Sequence, residues 1–260
     1  LHRYKSLSRP WAPIAMDNKI GEDGECNGRS GKSFLFYVLG KLQNIIWISG
    51  RNRNLLDNQF LFERVDKYSD VVFFDDCGKN LSVSNFYDII SGDMTINAKN
   101  VRSYSLPFEE APKFAFTTNY VPTDFNSSTE ARMLYLVYSD YYHQMTSEND
   151  YLETRSIRDD FGRDLFGRDY PEELWNADLN FLMQCCKFYL SLAGENIKIQ
   201  PPMGNILKRK YKADMGANFE DWANTYFAEE GGHLDELISR REAYEAFIDD
   251  AKVNKNFYTM

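Results

Sequence analysis

Short, continuous apolar runs alternate with stretches of helical spacing over the first half of the chain. Continuous apolar runs of this length are typical of strands that are buried on both faces of a sheet. They predict strands at residues 12–16, 45–49, 71–74, 113–118 and 133–138. Apolar positions at helical spacing predict helices at residues 32–42, 59–68 and 86–91. Strands that alternate with helices in this way indicate an α/β fold with a mostly parallel, covered sheet.

The pattern changes between residues 92 and 108, where a polar alternation around Asn97, Lys99 and Asn100 predicts a hairpin. Farther along, residues 171–192 predict a long helix. A proline and two acidic residues begin this segment, and an apolar face runs along the rest of it. Two amphipathic helices are predicted beyond the breaker at residues 200–202. We therefore divide the chain into a core, a helical extension and a helical C-terminal segment, for which a truncated winged-helix-type module is one interpretation. Their bounds are residues 1–143, 144–200 and 201–260.

The composition narrows the possible classes of function. The chain has 260 residues and a net charge of −9, which argues against a broad basic face for duplex DNA but allows a narrow basic loop. No apolar run approaches the ~20 residues of a membrane span, so we expect no membrane partner. The four cysteines lack metal-ligand spacing and only three histidines are present, so we expect reduced thiols and a cytoplasmic protein.

A glycine-containing segment, CNGRSGKS at residues 26–33, precedes the first predicted helix. It follows the phosphate-loop pattern G-x-x-x-x-G-K-[ST] except that Cys26 replaces the first glycine. In such a loop, backbone N–H groups wrap a phosphate, the lysine neutralises phosphate charge and the hydroxyl ligates Mg²⁺ at a helix N-terminus. We expect Lys32 to be a partly exposed charge in this loop. The alternative is a turn that only caps the helix. The predicted nucleotide-binding residues are Asn27, Gly28, Arg29, Ser30, Gly31, Lys32 and Ser33.

Polar residues also follow two of the predicted buried strands. Asp75 and Asp76 come directly after residues 71–74, and Asn119 follows residues 113–118. We expect Asp75 to hold Mg²⁺ together with Ser33, Asp76 to activate the attacking water and Asn119 to position that water. The alternatives are a solvated strand end for the two aspartates and a turn-forming asparagine.

An arginine, Arg132, precedes the last predicted strand. An arginine at a subunit edge can act on the nucleotide that is bound by the neighbouring subunit, and fingers of this kind are worth roughly 10³–10⁵ in rate. We therefore expect Arg132 to be a catalytic finger. The alternative is an ordinary surface ion pair with Glu130.

These segments, in this order and at this spacing, resemble the superfamily 3 helicases of the AAA+ class, in particular the primase–helicase ATPases of viruses, phages and mobile elements. The resemblance covers residues 12–143, and the hairpin segment makes it specific. The matching segments are NGRSGKS for the phosphate loop, VVFFDD for the acidic strand end, SGDMTINAKN for the hairpin, KFAFTTNYVP for the polar strand end and STEARMLYLVYSD for the finger.

The resemblance implies an AAA+ P-loop ATPase core that uses ATP and Mg²⁺ and forms a homo-oligomer, typically a hexameric ring. It also implies that the hairpin points into the central channel, where Lys99, with Arg102 nearby, contacts single-stranded or forked DNA. Two positions depart from the family's pattern. Cys26 stands at the first loop glycine, and Ala131 replaces one residue of the usual basic pair at the finger.

We therefore expect an ATP-dependent DNA helicase of the replicative, mobile-element or phage type. Two alternatives remain open. The first is an AAA+ motor that packages or loads DNA without unwinding it, and such a motor has no need of a grip at Lys99. The second is a nucleotide-gated scaffold that binds ATP with little turnover, which the departure at Cys26 leaves possible.

Overall fold

The computed structural model describes residues 5–18, 29–52, 54–79, 81–122, 124, 126–147, 149–192, 202–216, 218–228 and 232–250. Its strands are β1 (Ala12–Asp17), β2 (Ile45–Ser49), β3 (Val71–Cys77), β4 (Met94–Ile96), β5 (Tyr104–Leu106), β6 (Lys113–Thr118) and β7 (Met133–Tyr138). Its α-helices are α1 (Lys32–Leu39), α2 (Tyr87–Ser91), α3 (Ser127–Arg132), α4 (Ile157–Phe161), α5 (Glu172–Ser191), α6 (Met203–Met215), α7 (Phe219–Tyr226) and α8 (Arg240–Asp250). Short 3-10 helices occupy Leu55–Asp57 and Val83–Phe86.

Five strands form one sheet in the order β2-β3-β6-β1-β7. Every neighbouring pair in this sheet is parallel, so the predicted α/β fold and all five predicted strands are confirmed. The carboxyl ends of parallel strands meet at one edge of a sheet, and in open α/β sheets ligands bind in the crevice outside that edge. The residues that end β1, β3 and β6 therefore share one edge.

Alternate residues of the central strands supply the two apolar faces of the sheet. Phe73 faces α1, where its ring stacks on Phe36 with the centroids 4.0 Å apart. The next residue, Phe74, points to the opposite face and stacks on Phe116 at 5.2 Å. Phe86, at the end of a 3-10 helix, closes over that pair. Both faces are covered, as the continuous apolar runs predicted.

The helix predicted at residues 59–68 was wrong. This segment forms successive turns whose N–H groups bond to the carbonyl three residues earlier, as Leu61 does to Asn58 and Val65 does to Phe62. The Asn58 side chain also accepts from the backbone N–H of Phe60. Side chains of this type offer the backbone local partners that compete with a helix. The apolar spacing matched a helix, but the local hydrogen bonds give turns.

The helix predicted at residues 86–91 is present as α2, preceded by the 3-10 helix Val83–Phe86. Neither helix has a side-chain cap at its own first residue. The carboxylate of Asp124 instead accepts from the backbone N–H groups of Val83 and Ser84. Burial alone would raise the pKa of Asp124, but the hydrogen bonds from residues 82–84 outweigh burial and lower that pKa below its ordinary value.

The hairpin and most of the later helices agree with what the sequence predicted. Strands β4 and β5 pair in antiparallel register, which confirms the hairpin, and α5, α7 and α8 confirm the three predicted helices. Helix α6 was not predicted. Its Ile206 is fully buried in the main apolar cluster, so this part of the C-terminal segment packs against the core. Within the described ranges, no helix combines the length and apolar character needed to cross a membrane.

Candidate functional site

The carboxyl edge of the sheet carries the start of α1, which contains two of the predicted site residues. Lys32 and Ser33 are the first two residues of this helix. Gly31 precedes them with φ 91°, a left-handed conformation that favours glycine. Arg29 also has positive φ, at 62°. Cys26, Asn27 and Gly28 lie outside the described residues.

Lys32 forms a buried ion pair with Asp17, the last residue of β1. Its Nζ lies 2.5 Å from Asp17 Oδ2, and the two side chains are only 8% and 4% exposed. The hydroxyl of Ser30 donates to the other oxygen of the same carboxylate. The expectation that Lys32 would be partly exposed was therefore wrong. Sequence reasoning missed Asp17, although a lone carboxylate directly after an apolar run is the same signal that marked Asp75.

Ser33 and Asp75 meet where α1 begins and β3 nears its end. The hydroxyl of Ser33 donates to Asp75 Oδ1 at 2.6 Å, so two residues that are 42 positions apart are in direct contact. The hydroxyl of Thr117, on β6, donates to the same oxygen at 2.8 Å. The structure confirms that these two predicted residues lie together, and it adds Thr117, which sequence reasoning missed.

Asp76 has an irregular backbone and a different set of partners from Asp75. Its φ is 56°, and the pairing of β3 with β6 shifts register between Phe74 and Cys77. Its N–H donates to the Thr117 hydroxyl at 2.8 Å. Its carboxylate accepts from Nε of Arg51 at 2.6 Å, and the guanidinium forms a second contact through Nη2. The two neighbouring aspartates therefore have different partners. Asp75 accepts hydrogen bonds from two hydroxyl groups, whereas Asp76 accepts one from an arginine.

Arg51 reaches Asp76 because β2 and β3 approach closely at this edge. The N–H of Gly50 donates to the carbonyl of Asp75 at 2.7 Å. A Cβ at Gly50 would lie 2.9 Å from the Cα of Cys77, which is too close, so only glycine fits here. No motif in the sequence pointed to Arg51, which follows a strand end without a distinctive pattern.

Cys77, the last residue of β3, is a neutral thiol rather than a candidate nucleophile. It is buried and reduced. Burial raises the pKa of its thiol, and the negative charges of Asp75 and Asp76 raise it further. The thiolate is the reactive form, so this environment suppresses nucleophilic chemistry at Cys77.

The donor set at Ser33 and Asp75 suits a hard cation that is shared with a substrate. Among the residues that the structure describes, no cluster of three or more histidine, cysteine, aspartate or glutamate side chains could hold a metal ion by itself. Mg²⁺ usually binds through one or two carboxylates together with substrate phosphates rather than in a cage made wholly of protein. One carboxylate and one hydroxyl, both oxygen donors, fit that manner of binding.

The structure does not bring every predicted residue into this group. Asn119 directly follows β6 and is half-buried. Arg132, the last residue of α3, donates from Nε to the Ser91 hydroxyl at 3.0 Å, and its guanidinium lies 4.5 Å from the Tyr87 ring centroid. These contacts hold Arg132 against α2 of its own chain.

The hairpin presents its basic residues to solvent. Lys99 and Arg102 are both exposed in the connection between β4 and β5. Asn100 lies between them with φ 59°, a conformation that asparagine adopts more readily than most residues. The geometry is that of a narrow basic tip on an otherwise acidic chain.

No protein-family model and no curated protein matches the chain. The chain is similar to the A-form apo structure of the NrS-1 C-terminal region, with 18% identity and a TM-score of 0.33 over 54% of this chain and 32% of that one. A second such structure, of residues 305–718, gives 17% identity and a TM-score of 0.36 over 92% and 53%. The chain thus spans about half or less of the length of these structures.

Proposed function

We propose that this chain binds ATP with Mg²⁺ at the carboxyl edge of its sheet and hydrolyses it, as a P-loop ATPase of the AAA+ class. The observation that carries the proposal is the contact between Ser33 and Asp75, next to the buried Lys32. A hydroxyl and a carboxylate that meet beside a lysine at a helix N-terminus form the donor set that a magnesium–nucleotide complex requires.

Phosphate groups would be held by the first turn of α1. The N–H groups of this turn and the helix dipole favour an anion there. Lys32 would supply the compensating charge, and Gly31 leaves room for a close approach. Because Lys32 is paired with Asp17, the phosphates must take over this cation, and the proposal therefore includes an exchange of partners on binding.

Ser33 and Asp75 would hold Mg²⁺ through their oxygens. When bound, the ion neutralises charge on the phosphates and favours their attack by water. The hydrogen bond from Thr117 fixes the orientation of the Asp75 carboxylate. This arrangement keeps two oxygen donors next to each other, one from α1 and one from β3.

Asp76 would accept the proton of the attacking water, and Asn119 would orient that water. In the structure the Asp76 carboxylate is engaged by Arg51, so that the oxygen which bonds Arg51 is not available to a water molecule. Arg132 would serve the nucleotide of a neighbouring copy. Its present contacts with Ser91 and Tyr87 would have to be exchanged for that role.

We further propose that hydrolysis drives translocation on single-stranded or forked DNA by a homo-oligomeric ring, as in a helicase. Lys99 and Arg102 support this proposal because they are exposed at the tip of a confirmed hairpin. One such contact is weak, and six hairpins in one channel would add their contacts to DNA.

The test uses Mg²⁺-dependent binding of a fluorescent ATP analogue, with Ser33→Ala compared with Ser191→Ala. Ser191 lies in α5 and bonds a carbonyl of its own helix, so it is a matched control. We expect Ser33→Ala to lose most of the Mg²⁺-dependent gain in affinity while the control keeps it. Equal Mg²⁺ dependence in both variants would refute the assignment. Steady-state hydrolysis with and without single-stranded DNA then separates a helicase from a scaffold with little turnover.

A further inference from the structure

Asp17 ends β1 at the carboxyl edge of the sheet, and it belongs to none of the segments that marked the proposed ATP site. Its side chain is buried. One oxygen of its carboxylate accepts from Lys32 and the other from Ser30. A buried negative charge therefore lies against the lysine that would receive the phosphates.

Other carboxylates lie near this crevice. Asp75 is bonded to Ser33 in the first turn of α1. Asp140 follows β7, which pairs with β1 so that Tyr138 lies opposite Asp17. The hydroxyl of Tyr151 donates to Asp140 at 3.0 Å. Burial raises the pKa of Tyr151, and the nearby carboxylates, Asp17 among them, raise it further, so this phenol stays neutral. A phosphate ligand would therefore meet carboxylates as well as Lys32.

We propose that Asp17 is a specificity-determining residue, which admits a triphosphate that carries a bound metal ion and keeps out bare polyphosphates. The inference rests on the proposed function, because it concerns the ligands of that same site. Asp17 would act through Lys32 and through its own charge, and it needs no contact with the ligand.

The first contribution of Asp17 is its hold on Lys32. Any phosphate that takes Lys32 must separate the buried pair, and it leaves the Asp17 carboxylate with Ser30 but without the cation. A buried charge that has lost its partner is costly. Every ligand that uses Lys32 meets this cost, so an anion with few contacts, such as inorganic phosphate, does not offset it.

The second contribution of Asp17 is repulsion, which separates bare ligands from metal-bound ones. Once Lys32 has turned to the phosphates, the charge of Asp17 remains beside them in a water-poor crevice, where like charges repel strongly. A bound divalent cation is often the largest local charge in a phosphate site, and it offsets this repulsion. Bare ATP therefore loses more affinity to Asp17 than ATP with Mg²⁺ does.

The test compares Asp17→Asn with the parent by calorimetry. The ligands are ATP and tripolyphosphate, each with Mg²⁺ and with EDTA, and tripolyphosphate isolates the phosphates from the base. The amide keeps the size of the side chain and removes its charge. We expect the affinity for both bare ligands to rise about tenfold or more. The affinity for ATP with Mg²⁺ should rise less, so the gain that Mg²⁺ provides becomes smaller.

Asp70→Asn is the matched control for the loss of one negative charge. Asp70 lies just before β3, at the opposite edge of the sheet, where its carboxylate accepts from the backbone N–H of Asn44 at 2.9 Å. An amide oxygen can accept the same hydrogen bond. The four affinities of this variant should equal those of the parent.

Ser30→Ala tests the same reasoning with both charges of the pair in place, so it remains informative if Asp17→Asn does not fold. The hydrogen bond from Ser30 to Asp17 contributes more once Lys32 has left, because it then compensates a charge that has lost its cation. We expect Ser30→Ala to bind ATP with Mg²⁺ several-fold more weakly than the parent. Equal affinity would overturn the inference.

The outcomes separate this inference from the proposed function. If the parent binds ATP in a Mg²⁺-dependent manner but Asp17→Asn binds the bare ligands no more tightly, the role of Asp17 is overturned and the proposed function stands. A fall in the affinity of Asp17→Asn for ATP with Mg²⁺ would show that Asp17 helps to hold the ion, and it would also overturn the inference. A parent that does not bind ATP with Mg²⁺ would refute the proposed function, and this failure is seen before any variant is compared.

Discussion

Replacement of Lys32 by methionine tests the buried pair with Asp17, because the substitution keeps the volume and removes the charge. Both side chains are more than nine-tenths buried, and the Nζ–Oδ2 distance is 2.5 Å. Removing one partner of a buried pair typically costs about 3–5 kcal/mol, since it leaves an uncompensated buried charge. Ser30 continues to donate to Asp17. We therefore expect the free energy of unfolding to fall by about 3 kcal/mol, near the lower end of that range.

Urea unfolding of the nucleotide-free protein measures this loss. The double variant Asp17→Leu with Lys32→Met removes both charges and should recover most of the stability, because an apolar replacement of both partners is often neutral or stabilising. Lys67→Met is the control for losing an exposed lysine, and it should stay within about 0.5 kcal/mol of the parent. A Lys32→Met variant as stable as the parent, or a double variant no more stable than Lys32→Met, would refute the reasoning.

Three further predictions concern the proposed activity. Asp76→Asn should keep ATP affinity but reduce turnover by orders of magnitude, as measured by equilibrium binding and phosphate release, since an amide does not accept the proton of water; unchanged turnover would contradict this role. Arg132→Ala subunits mixed with Asp76→Asn subunits should recover some hydrolysis if the finger acts between copies, and mixed rings without recovery would count against it. Lys99→Ala should abolish strand separation and DNA stimulation while DNA-independent hydrolysis persists, and a variant that unwinds like the parent would favour a motor that is not a helicase.

The strands were predictable from the sequence because apolar residues cover both faces of the sheet, fully on β1, β3 and β6 and partly on the edge strands β2 and β7. A run such as residues 71–74 has no polar alternation, which is typical of a strand that is covered on both faces. The segment at residues 59–68 has apolar residues at helical spacing, but the side chain of Asn58 and the turns that follow satisfy its backbone locally. The spacing of apolar residues does not reveal that local hydrogen bonds compete with a helix, which explains why the helix prediction failed.

The site was predictable only where a residue lies in a motif. Lys32, Ser33 and Asp75 belong to recognisable segments, and the structure places them together. Thr117 contacts Asp75, which is 42 positions away, and Arg51 contacts Asp76, which is 25 positions away. These contacts exist because β3 lies between β2 and β6 in the sheet. The strand order sets these contacts, and no local pattern encodes it.

Two carboxylate–cation pairs hold the charges on which the proposed reaction depends. One pair is buried and the other is exposed, so different interactions are needed to separate them. The pair of Lys32 with Asp17 is buried, so it opens only for a ligand that brings strong compensating charge to that crevice, as the phosphates of ATP with Mg²⁺ would. The pair of Arg51 with Asp76 is exposed, so a weaker competitor at the surface is sufficient. On this reasoning the charge of ATP with Mg²⁺ is needed to separate Lys32 from Asp17, whereas Arg51 and Asp76 separate at little cost.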